Sequence, residues 1–378
     1  MGLFCTALRR LIQPIQPLPP GLYARKSPPD APAPYRLHLR LEPDGHGTLL
    51  INASIVLHLN PTAAEFAYHL VHETPTGEAA RQIARRYRVP QGQAARDYQD
   101  FIEQVEMLLS NPDAEPVFDQ IKPAPLHPSA PYRLDCALTW GDHQHLPEEK
   151  ARAELGTDDW LAVLDKAWKL GIPQVIFTGA EPTRRSDLET LLGHAERLGM
   201  VTGLVTDGLR LADSAYLDHL LQAGLDHVMV LVNPQDERSW EALFNLIYWK
   251  EALESHLHIA VHLTLTPDNH SNFPRWLERV ATSGLHTISL TASSPNLSRH
   301  LLQARDRAAS LALTLVWELP VPYAILNPFR LENEEGEGGS FESRACLYIE
   351  PDGSARLTFG DGRIQGNFLQ DSWEVIWG

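Results

Sequence analysis

The side chains able to do redox, metal or acid–base chemistry are few and mostly scattered. Three cysteines, Cys5, Cys136 and Cys346, stand far apart in 378 residues. That spacing does not resemble a disulfide framework, and it points to a reducing, cytoplasmic setting. Cys136 sits inside an apolar run and reads as a packed core thiol. For all three to meet on one cluster, the N-terminal tail, a strand and the C-terminal extension would have to converge. Asp142, His143 and His145 are closer together. A carboxylate and two imidazoles are metal-ligand types, and the same residues equally describe an exposed polar loop. His258 and His262 share one face of a strand, and His262 could point into an interior; the alternative is a hydrogen-bonded structural histidine. Glu181 lies in Gly179-Ala180-Glu181-Pro182, directly after the apolar run Val175-Ile176-Phe177. If that run is a parallel barrel strand, Glu181 stands at its carboxyl end, where barrel active sites are built. Its other reading is a carboxylate at a helix N-terminus, satisfied by backbone amides and by Arg184 or Arg185.

These residues need elements to hold them. Residues 12–35 are proline-rich and read as an irregular leader within a proline-rich span 1–35. Arg36-Leu37-His38-Leu39-Arg40-Leu41 alternates polar and apolar residues, the pattern of a half-buried strand. Leu49–Ile51 and Ile55–Leu59 supply further short strands. Asn60-Pro61 is a helix start, a capping side chain before a proline at the first helical position. Helices are expected from there to about His72, from Thr76 to Tyr87, and through Tyr98, Phe101, Ile102, Val105 and Leu108 at helical spacing. Three small strands and three helices make residues 36–110 a winged-helix-like module. A linker follows over 111–130.

From residue 131 to 325 a strand–helix unit repeats. Strands are expected at 133–139, 174–178, 201–205, 227–232, 257–265 and 286–291, with a further one at Leu313–Trp317. Gly171, Gly199, Gly224 and Gly284 close helices, and Ser186-Asp187-Leu188-Glu189 reads as a capping box. The alternation predicts an α/β fold of parallel strands with right-handed crossovers. Periodicity alone leaves a partial (β/α)6 TIM-like barrel and an open doubly wound sheet both standing. Residues 326–378 form a short α+β extension. It holds an acidic glycine-rich loop, a hairpin turning at Pro351-Asp352-Gly353, and a helix with Trp373 and Trp377 one turn apart.

The motifs in this order resemble the radical SAM superfamily. Pro131 through His143 is similar to the family's first barrel strand running into its cluster loop. Val175 to Pro182 resembles the second-strand Gly-Gly-Glu-Pro motif, with alanine at the second glycine. Leu204-Val205-Thr206-Asp207-Gly208 resembles the third-strand Thr-Asn-Gly. The resemblance implies an S-adenosylmethionine site at Gly179, Ala180, Glu181, Pro182, Thr206 and Asp207. It also implies three loop cysteines, and here Asp142, Leu146 and Glu149 fall at their places. Iron–sulfur clusters need soft thiolate donors, so the resemblance comes without its cluster, and S-adenosylmethionine would bind weakly. The tail resembles the SPASM/twitch extension of peptide-modifying members, with Thr358 where a cluster cysteine is expected. Residues 36–110 resemble the pyrroloquinoline-quinone peptide chaperone, a RiPP recognition element. In that family a peptide pairs along the small sheet and lies against the third helix. The fold expected is therefore a partial barrel with an N-terminal recognition module and a C-terminal extension.

Two functional readings follow. One is a pseudoenzyme that binds a peptide or protein partner through residues 36–110, with a second, active radical SAM enzyme as a candidate partner. The other is an active SAM- or metal-dependent peptide-modifying enzyme with unusual ligands. An ordinary α/β protein with an unrelated ligand is the third and blandest. A formal net charge of −16 argues against nucleic acid, whose phosphates need a basic surface, and tolerates a basic partner. No apolar run approaches the roughly 20 residues of a membrane-spanning helix. Met1-Gly2-Leu3-Phe4-Cys5-Thr6 fits the short N-myristoylation pattern, which chance also produces.

Overall fold

The computed structural model describes residues 16–28, 31, 34–111, 128–140, 153–316, 320–321, 326–334, 344–357 and 363–378. The main division into two compact units falls between Ser129 and Ala130.

The first unit is a four-stranded antiparallel sheet in sequential order with three helices. Its strands are β1 (Gly21–Lys26), β2 (Arg36–Leu41), β3 (Gly47–Ile51) and β4 (Ile55–Leu59). Helices α1 (Pro61–Val71), α2 (Thr76–Tyr87) and α3 (Gln91–Ser110) follow. Asn60 Oδ1 accepts from the amides of Thr62 (3.1 Å) and Ala63 (2.9 Å), the cap that starts α1 as expected. Leu37, Leu39 and Leu41 of β2 pack with Leu57, Leu59, Phe66, Tyr98 and Phe101 in one core.

Two expectations are corrected here. The span read as an irregular leader contains β1, which pairs with β2 from Gly21↔Leu41 to Lys26↔Arg36. Its prolines flank the strand and leave residues 21–26 free to pair. Arg25 pins the strand: it donates to Leu70 O (3.0 Å) and pairs with Glu73 (3.1 Å). The ring of Tyr23 meets that of Tyr68 edge-on at 5.1 Å. Second, β2 is not half-buried. Arg36, His38 and Arg40, on the face opposite the leucines, are buried too.

The second unit contains one ten-stranded sheet. Parallel strands β5 (Arg133–Ala137), β6 (Gln174–Thr178), β7 (Val201–Thr206), β8 (His227–Leu231), β9 (His258–Leu265), β10 (Thr287–Ala292) and β11 (Thr314–Val316) lie side by side in chain order. Helices α4 (Thr157–Lys169), α5 (Leu188–Leu198), α6 (Ser214–Gln222), α7 (Glu237–Ala252), α8 (Phe273–Thr282) and α9 (Ser298–Ser310) separate them. A doubly wound sheet reverses its strand order at a switch point. From β5 to β11 the order does not reverse, so these seven strands wind in one direction as in a TIM barrel, and only β12 to β14 lie on the other side of β5. Barrel closure would need β11 to meet the far edge of the sheet. That edge is β14, so the fold is an open, partial barrel.

Beyond β5, strand β12 (Cys346–Ile349) continues the sheet in parallel, and β13 (Ser354–Arg356) and β14 (Gly366–Asn367) complete it antiparallel. Between them Pro351-Asp352-Gly353 makes the expected turn. Two short helices, α10 (Pro328–Glu334) and α11 (Trp373–Trp377), belong to this extension. The Trp373 and Trp377 rings stack at 5.4 Å. Lys166 of α4 donates to Phe368 O (2.6 Å) and Asp371 O (2.9 Å), which ties the extension to the barrel.

The capping box read at Ser186 does not form. Helix α5 begins at Leu188 with Asp187 at its cap, and Asp187 gives no side-chain cap bond. Its carboxylate is taken instead by Arg185 (2.8 and 2.7 Å) and by Thr157 Oγ1 (2.7 Å). A bidentate charge-assisted pair outcompetes a single amide donor.

Candidate functional site

The carboxyl ends of β6 and β7 carry the two motifs, and one side chain joins them. Glu181 is 5% exposed. Its Oε1 accepts from Thr183 N (2.9 Å), Thr183 Oγ1 (2.5 Å) and Thr206 Oγ1 (2.7 Å). Its Oε2 accepts from Asp207 N at 2.8 Å. Thr206 Oγ1 in turn accepts from Gly208 N (3.1 Å), and Asp207 Oδ1 accepts from Leu209 N (2.9 Å). A carboxylate offers about four lone-pair sites, two on each oxygen. Oε1 is saturated, and Oε2 retains one acceptor direction. The backbone amides of the expected helix-N-terminus reading are present. The arginines are replaced by threonine hydroxyls, and Arg185 instead holds Asp187, Leu138 O (3.2 Å) and Leu155 O (3.3 Å).

Glycine is required where β6 leaves the sheet. Gly179 has φ +117°, and a Cβ there would lie 2.7 Å from Thr139 O and 2.8 Å from Thr139 N. This close approach lets Ala180 N donate to Thr139 O (3.1 Å) and brings Glu181 N toward Thr139 Oγ1 (3.4 Å). Ala180 is exposed and Pro182 buried. Gly208 plays the matching part after β7, with φ +76° and room for no Cβ beside Val230 (2.8 Å). The six residues expected to form one site, Gly179, Ala180, Glu181, Pro182, Thr206 and Asp207, therefore meet at one end of two adjacent strands. Thr139 and Thr183 also belong to this arrangement and were missed. A hydroxyl two residues after an acceptor carboxylate was the available signal for Thr183.

On the inner face of the sheet, Ile176, Val205, Met229 and Ala260 form an apolar cluster that Val321 enters. Beside it, Thr178 Oγ1 reaches Pro320 O at 3.4 Å. His262 also lies inward, 2% exposed. Its Nδ1 bonds Ser289 Oγ (3.0 Å), and its Nε2 bonds Thr264 Oγ1 (2.9 Å) and Thr291 Oγ1 (3.3 Å). Burial pushes its pKa down to about 3. His227 is pushed down to about 4, first by burial and then by His258 and Arg133. Both are neutral imidazoles near pH 7. His262 is thus the hydrogen-bonded structural histidine of the two readings.

Cys136 and Cys346 do not converge. Paired residues of adjacent strands share a face, and faces alternate along a strand. Cys346 is opposite Arg133, three residues from Cys136, so the two thiols project from opposite faces of the sheet. Burial, and then the charge of Asp135, raises the Cys136 thiol well above its ordinary value. A buried, protonated thiol is a poor iron ligand. Asp142, His143, His145 and Thr358 lie outside the described residues, as does Cys5. Residues 141–152 contain no cysteine. Iron–sulfur clusters take soft thiolate donors, and that segment supplies none.

Known proteins match each part of this architecture. The PqqD family (coenzyme PQQ synthesis protein D) matches residues 41–107. A PqqA peptide cyclase of Granulibacter bethesdensis is 31% identical over 144 residues, 36% of this chain and 38% of that one. A second, from Gluconobacter oxydans, is 41% identical over 98 residues, 26% and 27% of the two chains. The chain thus spans less than two fifths of the length of these relatives. The structure of Streptococcus suis SuiB bound to S-adenosylmethionine superposes with a TM-score of 0.57 at 16% identity, covering 90% of this chain and 87% of that one. SuiB bound to its precursor peptide SuiA gives 0.56 at the same coverage.

Part of the chain is thus similar to the PqqA peptide cyclases, residues 41–107 match the PqqD family, and the fold is that of SuiB. Among the described residues, no helix is long and apolar enough to cross a membrane.

Proposed function

We propose that this radical SAM relative is a pseudoenzyme: it holds a peptide through its PqqD-type module and carries no iron–sulfur cluster of its own. The observation that carries the reading is the sequence of residues 141–152, which offers no thiolate. The opposed projection of Cys136 and Cys346 supports it, since no pair of barrel thiols can substitute. S-adenosylmethionine, held elsewhere in the family partly through its bond to iron, is left with Glu181 and its neighbours, and binds weakly. An active enzyme using Asp142, His143 and His145 is the other reading, and those three residues lie outside the described ones.

The peptide enters as an added strand on β4. Sheet edges present unpaired amides and carbonyls, and peptides join there. The edge of β2 is closed by the chain's own β1. The outer edge of β1 ends in Arg25 and Lys26, charges of the kind that blunt edge pairing. Among the described residues β4 pairs with β3 alone. Its sequence, Ile55-Val56-Leu57-His58-Leu59, has the β-branched and apolar character of a good pairing strand. A relative bound to a precursor peptide, SuiB with SuiA, is consistent with this use of the module.

The test is hydrogen exchange on the full chain with and without candidate precursor peptides encoded beside it. Strand addition should slow amide exchange in Ile55–Leu59 while leaving Gly21–Lys26 unchanged. Exchange unaltered throughout residues 36–110 with every peptide would refute the peptide-binding reading.

A further inference from the structure

His270 and His300 form a pair that the reading above does not use. Both come from the carboxyl side of the sheet: His270 follows β9, and His300 is in the first turn of α9 after β10. Their ring centres are 4.8 Å apart, with planes inclined at 64°. His270 Nδ1 lies 2.8 Å from Pro267 O. A carbonyl can only accept, so Nδ1 carries the proton and Nε2 bears the free lone pair. That is the arrangement of a metal-ligating histidine, whose second nitrogen donates to a backbone carbonyl. His300 Nδ1 is buried and has no hydrogen-bond partner. A buried polar nitrogen left unpaired costs about 1–3 kcal/mol, so it calls for a partner.

The spacing of the rings suits a shared cation. With metal–nitrogen bonds of about 2.0–2.1 Å and a near-tetrahedral angle, two imidazole centres on one zinc stand about 5 Å apart. From this geometry we infer that His270 and His300 form a two-histidine site for a borderline divalent transition ion such as Zn²⁺. His270 supplies Nε2 and His300 supplies Nδ1. The remaining coordination positions go to water or to an incoming ligand, because among the described residues no third histidine, cysteine or carboxylate joins them. Such an ion would place a positive charge and exchangeable positions at the end of the sheet that also carries Glu181. The inference does not depend on the pseudoenzyme reading.

The experiment is calorimetric titration of the metal-stripped full chain with Zn²⁺ near neutral pH. One equivalent should bind, with affinity lowered at least tenfold in His270→Ala and in His300→Ala. Both side chains are half-buried, so the variants should fold, which far-ultraviolet circular dichroism checks; His300→Gln provides a second, milder replacement. His143→Ala and His145→Ala should leave the binding unchanged. Affinity should fall as the pH is lowered, because protons compete for imidazole nitrogens. No zinc uptake, or uptake that His143→Ala abolishes and His270→Ala leaves intact, would overturn the assignment. In the latter case the rings merely touch edge-on, as aromatic pairs do.

Discussion

Glu181→Ala is expected to destabilise the barrel by about 3–5 kcal/mol, measured by equilibrium denaturation. The substitution removes the acceptor of four donors: two threonine hydroxyls and the amides of Thr183 and Asp207. Each buried donor left unpaired costs about 1–3 kcal/mol, and water entering the small cavity recovers part of the sum. Glu181→Gln should cost less, because its carbonyl oxygen still accepts at the Oε1 position. Its amide group, however, turns a donor toward Asp207 N, so it should not be neutral. The two variants together separate the roles of the side chain. A purely ligand-binding carboxylate would show no stability loss in either, whereas a strut between the two motifs shows the larger loss in alanine.

Gly179→Ala is the second large effect expected, a loss of about 3 kcal/mol or more. The left-handed backbone alone costs about 1–2 kcal/mol for a residue with a Cβ. The greater difficulty is space: the new methyl would sit 2.7 Å from Thr139 O, a backbone atom. Backbone cannot turn aside as a side chain can, so β5 and the β6 turn must separate. Because Ala180 N and Glu181 N both lean on Thr139, Glu181 should move with them. Weak S-adenosylmethionine binding should then disappear along with the stability. A Gly179→Ala protein with the melting temperature of the parent would mean that the turn can relax without disturbing the site.

Much of the fold was legible because its signals are local. Asn60-Pro61 announced α1, and the cap formed as its chemistry requires. The glycines that end barrel helices take positive φ at 171, 199, 224 and 284. Strand alternation located β2, and the repeat of strand and helix gave the parallel sheet. Non-local choices were harder to read. Whether the sheet reverses its order depends on where each crossover lands, which no single segment encodes. β1 was hidden among prolines because it is a strand only by virtue of β2. The burial of Arg36, His38 and Arg40 likewise reflects what surrounds β2, not its own pattern. At the site, the helix starts one residue later than the capping box at Ser186 would place it, and Asp187 at the cap gives its carboxylate to Arg185. The motif residues themselves were placed by resemblance. Their hydrogen bonding was not predictable from spacing, since Thr206 and Glu181 are 25 residues apart and meet only when β6 and β7 pair.

The resulting picture separates recognition from chemistry. The module before Ser129 has the elements for adding a peptide strand. The barrel carries the Glu181 strut between its two motifs, and on the proposed reading it lacks the thiolates of a cluster. A protein of this kind would act by presenting or positioning a peptide, with bond-making chemistry left to a partner enzyme.

Iron and acid-labile sulfide content after anaerobic reconstitution, with a visible spectrum, tests that separation most directly. Neither iron nor sulfide should remain bound after gel filtration, and the charge-transfer absorption of a cluster should be missing. A stoichiometric cluster with matching iron and sulfide would contradict the account and would require ligands other than cysteine in the loop after β5.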